Sequence, residues 1–265
     1  MTFNFGRNWT NFLKDFDIDK LNIAKKDIKN FMGVKTLSNK SFLDVGSGSG
    51  LSSLAARSLG AKVLSFDRNL LSVKCTRYLK LKFFNNDPDW KILKGNVLNK
   101  NFINSLGKFD IVYAWGVLHH TGNQWKSLRN LIHVCKSGTL LHLALYNDQG
   151  LESKRWLAIK KTYQKIPSFL KMLYIFYIIF PLEFKKIIYF CSKKNPLLYL
   201  KKINNYKKNR GMSYFYDIID WVGGYPFEVS KPQEVISFLK KNNFTIKKIK
   251  KNRGSGNNIF LAKKL

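Results

Sequence analysis

Three glycines at alternate positions form the first segment that could do chemistry. The sequence FLDVGSGSG at residues 42–50 places Gly46, Gly48 and Gly50 after an apolar run typical of a strand. Glycines there permit a tight turn and let a ligand lie against backbone N–H groups at the N-terminus of the following helix. A dinucleotide-binding GxGxxG pattern would need a further glycine where this chain has leucine or serine. The loop therefore fits a ligand that lacks a pyrophosphate.

An acidic residue follows at the spacing expected for nucleoside binding. Asp67 ends the second apolar run, 21 residues after Gly46. A carboxylate at this position is typical of sites that bind ribose hydroxyls. Together with the glycine loop, it predicts a nucleoside ligand.

Two histidines and a tyrosine are candidate bases at the ends of two later strands. His119 and His120 follow the fourth apolar run, and Tyr146 ends the fifth. All three should face the crevice at the carboxyl ends of the strands, where one of them could deprotonate a nucleophile. We expect one histidine to be structural, orienting its loop through a ring N–H.

The segment DWVGGYPFEV at residues 220–229 differs from its lysine- and isoleucine-rich surroundings. With the residues before it, it supplies Arg210, Asp217, Asp220 and Tyr225 near the return of the chain to the sheet edge. This concentration of polar and aromatic groups predicts the wall of an acceptor pocket. The alternative is a brace, with one of the aspartates paired to the arginine.

The N-terminal sequence FNFGRNWTNF is too aromatic for a disordered tail. It fits a lid that folds over the ligand and excludes water, or equally a helix that docks on the insertion described below. Residues 1–40 as a whole are predicted to be helical, with the helix ending at Gly33.

The order of the elements predicts an α/β fold. Strands and helices alternate over residues 41–146, and the pattern returns over 231–265 with a helix and two strands joined by a glycine-rich turn. We expect a doubly wound, mostly parallel seven-stranded sheet with an antiparallel last strand. Residues 147–230 contain no clear strand and form a helical insertion that contributes the acceptor pocket, because a connection this long is usually functional.

Composition and charge restrict the compartment and the partners that we expect for the protein. The three cysteines are far apart in sequence, so we expect a reducing, cytoplasmic compartment and no metal site. The N-terminus has no apolar signal-peptide segment, and the longest apolar run, residues 172–182, is too short to span a bilayer. The net charge of +31 comes mostly from lysine, since only 8 of the 47 basic residues are arginine. We therefore favour a solvated surface over a nucleic-acid partner, without excluding the latter.

The ordered motifs resemble those of the class I S-adenosylmethionine-dependent methyltransferases. FLDVGSGSG, VLSFDRN, GNVL and FDIVYAWGVLHHTGN stand in the order of that family, and the V-L-H-H segment resembles its small-molecule branch. The similarity runs over residues 40–146 and 231–265. It implies a Rossmann-like fold and S-adenosyl-L-methionine as the cofactor.

The resemblance also implies roles for individual residues around that cofactor. The loop of Gly46, Ser47, Gly48 and Gly50 would pack against the methionine moiety, and Asp44 would help to hold its ammonium group. Many members of the family have aspartate where this chain has asparagine, whose carbonyl can still accept from the adenine amino group. The remaining implied contacts are Asp67 to the ribose, Arg68 beside the adenine, Asn96 and Val97 at its edge, and Trp115 and Leu118 beneath the cofactor.

The leading functional hypothesis is methyl transfer to an oxygen or sulfur nucleophile of a small-molecule acceptor, such as a small thiol. Three alternatives remain open. The basic surface would suit RNA, although the NPPY-type motif of amino-methylating enzymes is absent after the fourth strand. The apolar run would suit contact with a membrane surface and a lipid or quinone acceptor. A non-catalytic cofactor-binding module is the third.

Overall fold

The computed structural model describes residues 3–14, 16–192 and 214–265, together with the single positions 197, 199, 201, 203 and 206. Arg210, predicted for the acceptor wall, lies outside the described residues.

Seven strands form one sheet in the order β3-β2-β1-β4-β5-β7-β6. Strand β7 is antiparallel to both of its neighbours, and the pairs among β1 to β5 are parallel. The predicted doubly wound sheet with an antiparallel last strand is therefore confirmed. The strands are β1 (Ser41–Val45), β2 (Lys62–Asp67), β3 (Trp90–Lys94), β4 (Phe109–Trp115), β5 (Cys135–Tyr146), β6 (Phe244–Lys250) and β7 (Asn257–Lys264).

Ten helices are numbered here among the described residues, and two single 3-10 turns lie at residues 118–120 and 168–170. The helices are α1 (Phe5–Lys14), α2 (Ile18–Met32), α3 (Leu51–Ser58), α4 (Leu70–Phe83), α5 (Lys100–Ser105), α6 (Gln124–Ile132), α7 (Leu151–Lys165), α8 (Lys171–Ser192), α9 (Tyr214–Gly223) and α10 (Pro232–Lys241).

The sheet is buried on both faces, which explains its near-continuous apolar strands. In register, Leu43 of β1 lies beside Leu64 of β2 and Val112 of β4. One core packs α5, α6 and α10 on the sheet, and a second packs α2, α3 and α4 on the other face. The strand order runs from β1 to β2 and β3 on one side, and continues with β4 and β5 on the other. The carboxyl ends of β1 and β4 therefore form a topological switch point, where such sheets bind ligands.

The N-terminal region forms two helices where the periodicity indicated a continuous helical segment. Asp17 has an extended backbone and its side chain accepts the Lys20 N–H, so it caps α2 and separates it from α1. The predicted end at Gly33 is confirmed, since this glycine has a φ of 68° and caps α2.

The segment between β5 and α10 contains α7, α8 and α9 around a small core of its own. That core includes Trp156, Tyr163, Ile175 and Val222. The chain returns to the sheet where the Ser230 N–H donates to the Tyr146 carbonyl oxygen at 3.0 Å. This return brings the residues just before Ser230 to the carboxyl end of the sheet.

Candidate active site

A cavity of about 300 Å³ lies at the switch point, next to the carboxyl ends of β1, β2 and β4. We distinguish two groups among the residues that line it. The glycine-loop wall consists of Gly46, Gly48, Asp67, Asn96 and Val97, and the aromatic wall consists of Phe3, Phe5, His120, Tyr225 and Pro226.

The glycine loop has a backbone that side chains would strain. Gly46 has a φ of 70° and Gly48 a φ of 56°, in the left-handed region that favours glycine. The Gly46 N–H donates to the Phe66 carbonyl oxygen at 2.8 Å, which fixes the loop on β2. A Cβ added to Gly48 would lie 3.0 Å from the Trp9 indole, so the space above this glycine is narrow.

Asp67 lines the cavity with both carboxylate oxygens held by backbone donors. Its Oδ2 accepts the Gly48 N–H at 3.0 Å, and its Oδ1 accepts the Asn69 N–H at 2.7 Å. Burial raises the pKa of this carboxyl, while the backbone donors oppose the shift. A carboxylate oxygen can accept more than one hydrogen bond, so Asp67 can also accept from hydroxyls of a ligand in the cavity.

The adenine-edge candidates also line the cavity. Asn96 Oδ1 accepts the Leu98 N–H at 3.0 Å, which leaves a second lone pair on that oxygen. Val97 is buried beside it, whereas Arg68 is exposed at the rim. Trp115 lines the cavity with 49% of its surface exposed, so it stands at the open side.

Four residues that the resemblance assigned to the cofactor lie behind the cavity wall. Asp44 is buried, and Ser53 Oγ donates to its Oδ2 at 2.5 Å. Burial raises the pKa of Asp44 to about 7. Ser47 shares a 2.9 Å hydrogen bond with Thr76, and Leu118 belongs to the core between the sheet and α6. The four are Asp44, Ser47, Gly50 and Leu118.

His120 is the candidate base that reaches the cavity. Its Nδ1 lies 2.6 Å from the Pro226 carbonyl oxygen. A carbonyl oxygen only accepts, so Nδ1 carries the proton and Nε2 keeps its lone pair. Burial among protein atoms lowers the pKa of His120 to about 3, and the imidazole is therefore neutral near pH 7.

His119 and Tyr146 pack behind His120. His119 is buried, its Nδ1 accepts the Tyr146 N–H at 3.2 Å, and the two rings stack with centroids 3.7 Å apart. His119 thus has the opposite tautomer to His120, with the proton on Nε2. The structure brings neither residue to the cavity surface.

The insertion places its three described candidate residues at different distances from the cavity. Tyr225 lines it, next to a cis peptide bond with Pro226. Asp220 accepts a hydrogen bond from the Asn8 side chain, and burial raises its pKa to about 7. Asp217 accepts from the Tyr206 hydroxyl, away from the cavity.

A buried lysine that the sequence did not predict packs against Trp221 and Phe227. Lys160 is fully buried, donates to the Trp221 carbonyl oxygen, and lies 4.6 Å from the Trp221 ring centroid and 4.9 Å from that of Phe227. Burial lowers its pKa to about 7. A single lysine among 39 carries no sequence signal, because its burial depends on how α7 packs against α9.

The N-terminal segment covers the cavity and joins its two sides. Phe3, Phe5 and Trp9 line it, and the Phe3 N–H donates to the Tyr225 carbonyl oxygen at 2.9 Å. The Phe5 ring lies 4.6 Å from that of His120. From the same helix, the Asn8 side chain donates a hydrogen bond to Asp220. The segment therefore contacts both the cavity and the insertion, and its role as a lid stays a prediction.

Comparison with known proteins identifies the family. A family model described as a methyltransferase domain matches residues 20–171, more than half of the chain. A comparison with curated proteins finds no match.

Solved structures share the fold at low sequence identity. The magnesium protoporphyrin IX methyltransferase from Synechocystis, with bound SAH, is 14% identical over 95% of this chain and 86% of its own, with a TM-score of 0.55. TehB from Haemophilus influenzae is 13% identical over 91% and 61%, with a TM-score of 0.53. PKMT2 from Rickettsia typhi, in complex with AdoHcy, is 12% identical over 86% and 49%, with a TM-score of 0.56.

Identities at this level establish a common fold alone, whereas the family model also identifies the catalytic domain. The glycine loop, the acidic end of β2 and the switch-point cavity stand where the sequence motifs predicted them. The chain therefore belongs to the methyltransferase-domain family and is a class I S-adenosylmethionine-dependent methyltransferase.

Proposed function

We propose that this protein transfers a methyl group to an oxygen or sulfur nucleophile of a small, largely apolar acceptor bound against the aromatic wall. The observation that carries the proposal is that one cavity joins the glycine-loop wall to the aromatic wall. A nucleoside-binding surface and an acceptor surface are thus close enough for direct transfer between two bound molecules.

The glycine-loop wall fits the cofactor chemically. Asp67 supplies carboxylate oxygens for ribose hydroxyls, and Asn96 and Val97 supply one polar group and one apolar surface for adenine. Gly46 and Gly48 line the cavity with backbone, and an added Cβ would meet the Val117 side chain at Gly46 and the Trp9 indole at Gly48. When bound, S-adenosylmethionine supplies an activated methyl group on a sulfonium. The ammonium contact of Asp44 stays a prediction, since its carboxyl lies behind the loop.

The aromatic wall supports orientation of a nucleophile more than strong base catalysis. His120 Nε2 can accept a hydrogen bond from a hydroxyl or thiol, since Nδ1 is protonated. A pKa of about 3 makes this imidazole a weak base, so it suits an acceptor that is already ionised or readily ionised. Phe3, Phe5 and Pro226 supply apolar contacts and exclude water from the reacting atoms.

The decisive experiment incubates the purified protein with methyl-labelled S-adenosylmethionine and separate panels of thiols, phenols, quinone precursors and tRNA. We expect label in a product of the thiol, phenol or quinone panels. His120→Asn should retain a donor to the Pro226 carbonyl oxygen but lose Nε2, and should reduce this transfer. Label in tRNA alone, with a steep loss of affinity at rising salt, would favour the RNA alternative and overturn the proposal.

A further inference from the structure

Helix α8 and the turn before it carry an unusual share of the exposed apolar surface. Among the described residues, half of the large hydrophobic side chains that are exposed lie between Phe169 and Tyr189. On an ordinary solvated helix, exposed apolar residues are scattered singly. A contiguous apolar surface instead marks an interaction site.

Two faces of α8 are apolar, and one of them packs against the helices described for the insertion. Ile175, Ile178 and Leu182 pack against the small core of the insertion. The opposite face, named here the α8 apolar face, consists of Leu173, Phe176, Phe180, Phe184 and Ile187, all of them at least 40% exposed. These residues recur every three or four positions and so form one stripe along the helix.

The stripe is continuous and strongly aromatic. The Phe176 and Phe180 rings lie 5.1 Å apart between centroids, and the Phe180 and Phe184 rings lie 5.7 Å apart. At the N-terminal end the stripe opens into a groove of about 730 Å³, lined by Ile166, Leu170 and Tyr177 among other apolar and aromatic side chains. Apolar chains could enter this groove without leaving a buried polar group unpaired.

Basic residues border the apolar stripe at both ends. Lys161 and Lys165 are exposed on the last turns of α7, and Lys185 and Lys186 are exposed near the end of the stripe. Glu183 is the one acidic residue between positions 153 and 192, and it pairs with Lys186 at 2.6 Å. The surroundings of the stripe are therefore positively charged.

We propose that the α8 apolar face docks on the surface of an anionic lipid bilayer, with its aromatic side chains among the acyl chains and its lysines at the headgroups. Apolar faces rimmed by lysine bind such surfaces through both buried area and attraction to anionic lipids. Charge complementarity selects this occupant over a second copy of the chain, whose equal positive charge would repel it.

Docking at the surface also agrees with the length and composition of the helices. Among the residues described, no helix is both long and apolar enough to cross a bilayer. Pro181 lies within α8, and Lys185 and Lys186 follow it closely. The helix α9 packs against α8 and leads into Tyr225 of the aromatic wall. A docked α8 would therefore hold the cavity at a fixed distance from the bilayer.

The test measures cosedimentation of the full chain with phosphatidylcholine vesicles, with and without phosphatidylglycerol. We expect binding to the vesicles that contain phosphatidylglycerol and at least tenfold weaker binding to pure phosphatidylcholine. The double variant Phe176→Asp, Phe180→Asp should lose at least tenfold in partition. The matched control Tyr78→Asp, Leu81→Asp adds the same charge at two exposed apolar positions of α4. It should bind within twofold of wild type, because the α8 apolar face is intact.

Three results would overturn the proposal. The wild type could fail to bind the anionic vesicles, or the α8 variant could bind as well as the α4 control. The third is a dimer in light scattering that the α8 variant alone converts to a monomer, which would assign the face to a second copy. Circular dichroism at equal temperature verifies that both double variants remain folded, so that loss of binding reports on the surface.

Discussion

The glycine-loop wall of the cavity draws on residues 46–97, whereas the aromatic wall joins residues 3–5 to His120 and to residues 225–226. The first is made by consecutive strand ends, and its key hydrogen bond spans the 19 positions from Gly48 to Asp67. The second is closed by the His120 contact with Pro226, 106 positions away. A ligand site formed by consecutive strand ends can therefore be predicted from sequence, whereas one formed by a returning insertion depends on tertiary packing.

A substitution in the glycine-loop wall should have the strongest consequence, which is the loss of cofactor binding. Gly48→Val should abolish binding of S-adenosylmethionine, because the new side chain would meet the Trp9 indole at a backbone φ of 56°. Isothermal calorimetry measures the loss. Gly107→Val is the matched control, since Gly107 has a φ of 83° but nothing within 4 Å of an added Cβ. Normal binding by Gly48→Val would mean that the loop is a turn and holds no ligand.

The next effect concerns the acidic end of β2. Asp67→Ala should weaken cofactor binding by about 1.5 to 3 kcal/mol, the cost of losing charge-assisted hydrogen bonds to hydroxyls. The Gly48 N–H also loses its acceptor, so part of this loss comes from the loop. Asp89→Ala serves as the control, because its carboxylate is 41% exposed and pairs with Arg57 away from the cavity. Unchanged affinity in calorimetry would remove Asp67 from the ribose assignment.

The predictable part of the fold rests on alternating strands and helices, and the predictable part of the cofactor site rests on strand ends. Gly46 and Gly48 follow β1, Asp67 ends β2 and Asn96 comes shortly after β3, so parallel pairing brings them together at one sheet edge. Asp44 and Leu118 stand in the same motifs, but both are buried in the interior, one within β1 and the other in the 3-10 turn after β4. Because both faces of the sheet are covered, the motifs do not indicate which of their side chains reach the cavity.

The insertion resisted prediction for a different reason. Its composition indicated a polar and aromatic wall, yet Asp217 and Asp220 face tyrosine and asparagine partners, and only Tyr225 reaches the cavity among the described candidates. The contact between Asn8 and Asp220 joins positions 212 residues apart. Such pairs have no local pattern, since each depends on how separate helices pack over the sheet.

Buried charge on the insertion side should appear in the dependence of stability on pH. The pKa of Asp220 is raised to about 7, so the folded state binds this proton more tightly and stability falls as pH rises from about 4 to 7. The pKa of Lys160 is lowered to about 7, so stability rises again from about 7 to 10. The contribution of these two groups to the free energy of unfolding should therefore pass through a minimum near pH 7.

Urea unfolding at pH 4.5, 7 and 9.5 measures this profile. The stability of the wild type relative to the double variant Asp220→Asn, Lys160→Met should be lowest at pH 7, because the variant lacks both titrating groups and keeps the other buried ones. A maximum near pH 7 in this difference would contradict the expectation and would identify the two groups as a buried ion pair that offsets its own desolvation.

Substitutions in the aromatic wall should lower kcat/KM for the acceptor and leave cofactor affinity nearly unchanged. His120→Asn and Tyr225→Phe, made singly, should give at least one variant with a tenfold loss in kcat/KM for the acceptor, about 1.4 kcal/mol in the transition state. Cofactor affinity should change by less than half of that energy. His133→Asn is the control for the histidine change, since this histidine is exposed at the end of α6. Wild-type kcat/KM in both variants would make the aromatic wall a structural brace.

A substitution in α1 should have the weakest consequence. It tests whether the contact of α1 with the insertion supports cofactor binding and turnover. Asn8→Ala removes the contact with Asp220 and should lower the free energy of unfolding by about 1 kcal/mol, the usual net worth of a hydrogen bond. Because α1 also carries Phe5 and Trp9 over the cavity, the same change should raise the cofactor Kd and lower acceptor kcat/KM by similar small factors. Asn4→Ala is the matched control, since its side chain bonds Asn69 at 2.9 Å in an exposed position. A fall in Tm with no change in either binding or turnover would show that α1 only docks on the insertion, and that the cavity reacts without a lid.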